Sequence, residues 1–151
     1  MSSPAAEAPA GPPAEGAIEL ALRRADGSFV DVGELRGHVV VLLVLATFDG
    51  PSQMALRPLR SLVERSPEVR ILGIAAQQGA RLLVDAYEHA LSPPFPITYD
   101  PEETVAAGTS SLGELAGVPT LIVLDARGVE VGRFTGYCDD ACLDELISRA
   151  R

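Results

Sequence analysis

VVVLLVLATFDGPS, residues 39–52, is the stretch that decides how this chain folds. A near-continuous run of Val, Leu and Ala is bounded upstream by Arg36-Gly37-His38 and downstream by Asp49-Gly50-Pro51. Such a run, without alternation, is the pattern of a central strand buried on both faces. Asp49 with Pro51 just behind it, followed by the periodic Met54, Leu56, Leu59, Leu62 and Val63, reads as a helix N-terminus set directly at the strand's end. That corner aims free backbone N–H groups and the positive end of the helix dipole at the side chain of residue 49. Read from its immediate neighbours, Asp49 is an N-cap worth ~1 kcal/mol.

Working outward, Ile18 to Leu22 and Phe29 to Val32 flank Ala25-Asp26-Gly27 and predict an opening β-hairpin. His38 reads as a solvated residue ahead of the central strand. The first helix is expected from Pro51 to Arg65, kinked by Pro58 and stopped by Ser66-Pro67. Val69 to Ala76 is the second core strand. A helix from Ala80 to Leu91 follows, with Leu82, Leu83, Ala86, Tyr87 and Ala90 expected on its buried face and His89 exposed. Strand, helix and strand at these lengths form a right-handed βαβ unit. Asp125 to Gly128 turns into a strand from Val129 to Thr135. A last helix starts at Asp139 or Asp140, and Leu143, Leu146 and Ile147 form its apolar stripe.

The 151 residues, 47% of them hydrophobic, are enough for one domain with one core. No apolar run approaches the ~18 residues of a membrane span, which predicts a water-soluble chain. The net charge is −9 and every basic residue is Arg, so a nucleic-acid partner is not expected. Aromatics at 5% are too sparse for a base-stacking platform. Residues 1–16, rich in Ala, Pro, Gly and Glu, are expected to be a disordered leader, with the domain spanning 17–151. No basic and apolar export signal opens the sequence as given. The expectation is therefore cytoplasmic by default, or periplasmic or tethered if the N-terminus was trimmed.

Ala46-Thr47-Phe48-Asp49-Gly50-Pro51-Ser52 resembles the Ala-Thr-Trp-Cys-Gly-Pro-Cys turn of the thioredoxin superfamily, most closely its TlpA/ResA-like (redoxin, AhpC/TSA-like) branch of thiol-disulfide oxidoreductases. The opening ELALRRADGSFVDVGELRGHVVVLLV is similar to the entry of the same branch, and Phe95 to Tyr99 to a short strand that it inserts. Leu115-Ala116-Gly117-Val118-Pro119-Thr120, running into Leu121 to Leu124, is similar to the family's Val-Pro-Thr segment, whose proline is cis and faces the active turn. The resemblance implies an α/β thioredoxin-like fold, a central mixed sheet flanked by helices with an N-terminal β-hairpin. In the family the first cysteine of the turn attacks a disulfide as a low-pKa thiolate and the second resolves the mixed disulfide. Here Asp49 and Ser52 hold those two places, and Gln77-Gln78-Gly79 stands where the ResA branch has a buried Glu.

The resemblance further implies a groove built from Phe48, Gly50, Pro51, Val118, Pro119, Gly136 and Tyr137, in which relatives hold an extended peptide by backbone pairing. The expected function is a redox-inactive module binding a protein or extended peptide, with no cofactor and no metal. Thiol chemistry is confined to Cys138 and Cys142, four residues apart. Three readings of that pair stand open: a structural disulfide or two inert thiols, a relocated redox pair, or a metal site shared with Asp139 and Asp140. The family's loop after the last strand borders the active turn, which would bring Cys138 towards Asp49. Closure of a disulfide is easier if Cys138 precedes the first helical turn. Ser52 has no His base in reach and is not expected to be a nucleophile. The glycines at 27–33 and 113–117 lack the Lys-Ser/Thr of a phosphate loop.

Overall fold

A computed structural model describes residues 15–151. The leader expected over 1–16 therefore falls outside the described residues, apart from Glu15 and Gly16. Ala17 forms an isolated bridge with Val129. The strands are β1 (Ala21–Arg24), β2 (Phe29–Asp31), β3 (Val40–Leu45), β4 (Arg70–Ala75), β5 (Ile97–Tyr99), β6 (Thr120–Leu124) and β7 (Glu130–Thr135). The helices are α1 (Gly50–Met54), α2 (Leu56–Arg65), α3 (Ala80–Leu91), α4 (Thr104–Ala107) and α5 (Asp140–Ser148).

All six residues of β3 are buried, as a strand covered on both faces must be. It lies inside a seven-stranded mixed sheet of order β2-β1-β5-β4-β3-β6-β7, parallel to β4 and antiparallel to β6. Because alternate side chains of a strand point to opposite faces, Val41, Leu43 and Leu45 enter one core layer with Leu59, Val84 and Leu143 of the helices. Val40, Leu42 and Val44 enter the other, with Leu22, Val32 and Leu112. The architecture is the thioredoxin-like α/β fold, and the N-terminal hairpin is present, with Leu22 opposite Val30.

Three local expectations are corrected. The hairpin's first strand is Ala21–Arg24 rather than Ile18 to Leu22, because Ile18 and Leu20 are buried under the sheet ahead of the pairing segment. Its second strand ends at Asp31, which caps a 3-10 turn over Val32–Leu35 by accepting the Gly33 N–H. The first helix is two helices, divided at Ala55. Pro58 has no N–H to give the Met54 carbonyl, so the helix restarts and proline takes a first-turn position, where no donor is needed.

The third correction concerns α3, whose buried residues are Ala80, Val84 and Tyr87, while Leu82 is 81% exposed and Leu83, Ala86 and Ala90 face solvent. At ~100° per residue these are neighbouring arcs of one helix, and Tyr87 belongs to the first. Both arcs are apolar, so only the position of the sheet chooses between them. Exposed His38 and His89 are where the sequence puts them.

Candidate functional site

Asp49 sits at the corner between β3 and α1 with an extended backbone, and its Oδ2 accepts the Ser52 N–H at 2.9 Å. Gly50 and Pro51 fill the first turn, where proline's fixed φ suits a helix start. Ser52 is fully buried, and its Oγ accepts the Ala46 N–H at 3.2 Å, so the third residue of the turn ties back to the end of the strand. Thr47 is held at both backbone groups. Its N–H donates to Gln77 Oε1 at 2.5 Å, and its carbonyl accepts from Gln53 Nε2 at 3.2 Å. Neither oxygen at positions 49 and 52 can exchange with a sulfur.

The Val118–Pro119 peptide is cis. Thr120, the next residue, pairs with Val44 of β3 on one side and Thr135 of β7 on the other, which sets this loop beside the end of β3. Thr120 Oγ1 lies 2.6 Å from the Gly117 carbonyl and 3.0 Å from Thr135 Oγ1. The Pro119 carbonyl accepts the Gly136 N–H at 2.8 Å, and Gly136 has a φ of +106°, a conformation that favours glycine. Large apolar side chains stay uncovered at this end of the sheet. Phe48 is 77% exposed and Met54 62%, and Val118, Phe134 and Tyr137 are also exposed. Tyr137 lines two cavities. One of about 380 Å³ is walled by Met54, Leu56, Leu91 and Arg57, and another of about 410 Å³ by Arg57, Pro58, Ser61 and Asp140.

A disulfide joins Cys138 and Cys142, with their α-carbons 5.3 Å apart. Cys138 precedes the helix and Asp139 caps it, its Oδ1 accepting the Cys142 N–H at 2.9 Å. Cys138 is 1% exposed and packs in the core layer that contains Leu56, Leu59 and Leu143. Cys142 is partly exposed. With both sulfurs in one bond, neither is a thiolate ligand in this state. Tyr137, just before Cys138, lines a cavity with Gln53 and Met54, while Cys138 itself turns into the core.

A third hollow, of about 480 Å³, opens between the β1–β2 turn, Gln77, Arg81 and Asp100. Its acids serve the backbone. Burial pushes the Asp100 carboxyl up, but the Thr104 hydroxyl and the N–H groups of Glu102, Val105 and Thr104 outweigh this and hold it below its ordinary value. Asp26 is likewise lowered, chiefly by the Ser28 hydroxyl. Gln53, Met54, Arg57 and Phe134 are absent from the site residues singled out by sequence, and Gln77 is marked there only as part of the Gln77-Gln78-Gly79 segment, with no contact to Thr47 expected. An amide can pair with any backbone group, so no spacing marks the two glutamines; Met54 was legible only as a periodic apolar position.

No family model and no curated protein matches the chain. Solved structures do. A thiol:disulfide interchange protein of the thioredoxin family from Chlorobium tepidum superposes with a TM-score of 0.71 at 22% identity, covering 94% of this chain and 99% of its own. A DsbF homologue from Corynebacterium diphtheriae gives 0.73 at 18% identity, with 87% and 84% covered. StoA from Bacillus subtilis gives 0.67 at 18%, with 92% and 99% covered. The chain thus has the thioredoxin-like fold, and these structural neighbours include thiol:disulfide oxidoreductases.

Proposed function

We propose that this chain is a thioredoxin-fold module of the TlpA/ResA-like kind that binds an extended peptide or protein segment and performs no thiol exchange at its strand-to-helix corner. The observation that carries the reading is the corner itself: Asp49 and Ser52 occupy it and both are engaged with backbone N–H groups beside the Val118–Pro119 loop. The exposed Phe48, Val118 and Tyr137 supply apolar contact area. Val118 makes no backbone hydrogen bond among the described residues, which leaves its amide and carbonyl to an added extended chain. Affinity without turnover follows from that combination. A peptide array probed with the wild type and with Val118→Asp and Tyr137→Ala variants tests it. The reading expects a set of peptides retained by the wild type and lost by the variants; retention that neither change weakens removes its support.

A second reading keeps oxidoreductase activity and moves it to Cys138 and Cys142, and the disulfide between them is the observation in its favour. Insulin reduction by dithiothreitol separates the two. Acceleration by the wild type and not by Cys138→Ser belongs to the second reading, and background rates for both belong to the first.

A further inference from the structure

We propose that the Cys138–Cys142 disulfide is a redox-modification site entered through Cys142, and that its state sets the position of Tyr137 in the groove. The regulatory half of this inference rests on the groove reading above; the chemical half does not.

The two sulfurs differ in what can reach them. Cys138 is 1% exposed and faces the apolar layer between α2 and α5, whereas Cys142 is partly open to solvent in the first turn of α5. An incoming dithiol, small or protein-borne, attacks Cys142 Sγ as its thiolate. The S–S bond breaks, a mixed disulfide forms at Cys142, and Cys138 leaves as a thiolate and takes up a proton. The second thiol of the reductant then displaces Cys142, which is protonated in turn. The pair gains two electrons and two protons, and the reductant ends as a disulfide.

This step is slow by construction. Apolar surroundings disfavour a thiolate, so Cys138 is a poor leaving group, and Asp139 and Asp140 repel an anionic attacker. A slow exchanger serves badly as a catalyst and well as a state that persists.

Tyr137 is where that state would be read. On one side it is fixed by Gly136, whose N–H is bound to the Pro119 carbonyl, and on the other it is followed directly by Cys138. It also lines both cavities that flank α2. The cap hydrogen bond from the Cys142 N–H to Asp139 needs no disulfide, so opening the bond frees the loop without removing the helix start. Reduction therefore loosens a binding wall and leaves the fold in place, and an anchor that must be ordered on binding weakens affinity.

Two measurements test this on the intact chain. Fluorescein-labelled, carboxymethylated insulin B chain, an extended peptide with blocked cysteines, is titrated against the oxidised protein and against protein kept in excess trialkylphosphine. The oxidised form is expected to bind about fivefold tighter. Equal binding by both forms overturns the latch and leaves the groove reading standing, while binding by neither counts against that groove.

The backbone amide resonances decide the latch independently of any peptide. Shifts on reduction at Val118 and Tyr137, with the β1–β2 hairpin unchanged, support it, and unmoved Tyr137 signals overturn it. For the entry sulfur, Cys138→Ser should leave Cys142 open to an aromatic disulfide reagent, and Cys142→Ser should leave Cys138 about a hundredfold slower, as burial of a thiol requires. Equal or reversed rates refute entry through Cys142.

Discussion

Two strand-to-helix corners of this molecule are built alike and closed differently. At the end of β3, Asp49 caps α1 by accepting the N–H of the residue three places on, Ser52; after β7, Asp139 caps α5 by accepting the N–H of Cys142, again three places on. In each, the side chain of that third residue reaches back past the cap. Ser52 Oγ accepts the Ala46 N–H, and Cys142 Sγ is bonded to Cys138. The first closure is a buried hydrogen bond with no redox chemistry, and the second is a covalent bond that a dithiol opens. The comparison teaches that the capping device is indifferent to chemistry: reactivity is decided by which atom stands third.

The sharpest way to break that lesson is to exchange the third atom. Asp49→Cys combined with Ser52→Cys should take the β3 corner from no thiol at all to a dithiol that a maleimide labels after mild reduction, because the helix N-terminus is still there to favour thiolate. A double variant that folds but stays unlabelled at these positions would show that the corner is not shaped for a sulfur. Next in size, Ser52→Ala leaves the Ala46 N–H buried without its acceptor and should cost ~1–3 kcal/mol in urea denaturation. A cost near zero would mean that the corner is not closed in the way described. Smaller still, Asp49→Ala and Asp139→Ala should each lose ~1 kcal/mol, and by similar amounts if the two caps are equivalent.

The smallest effect belongs to a third corner, where Asp100 follows β5 and accepts from the Thr104 hydroxyl and the Val105 N–H. Its carboxyl titrates below the ordinary 3.8 in the folded chain. The stability it contributes is therefore complete above that value and is lost as the pH falls through it towards the folded pKa. Asp100→Asn should flatten the acid limb of a stability-versus-pH curve in that window and leave pH 7 to 8 nearly parallel to the wild type.

These corners also show what a sequence can and cannot disclose. β3 was legible because an unbroken apolar run has one economical place, the middle of a sheet. The α5 stripe of Leu143, Leu146 and Ile147 was legible because the other face of that helix is charged. The α3 face was misread because Leu82 and Leu83 on one arc compete with Val84 and Tyr87 on the other, and only the sheet's position decides. The division at Ala55 was softened into a kink because proline's missing donor fixes where a hydrogen bond fails, not whether the chain bends or restarts. At the site, Asp49 and Ser52 were visible as a spacing. The grip on Thr47 was not, since it depends on two glutamines brought together from 24 residues apart in the chain, as their numbers 53 and 77 show.

That grip has a consequence of its own. Gln77 gives Thr47 an acceptor with one end of its amide and keeps the other end, Nε2, buried with no partner among the described residues. Replacing that nitrogen by oxygen, Gln77→Glu, would preserve the acceptor, abolish the orphan donor and install an acid that can be loaded and unloaded with hydrogen ions. The distance between a silent corner and one furnished with its own proton store is a single atom.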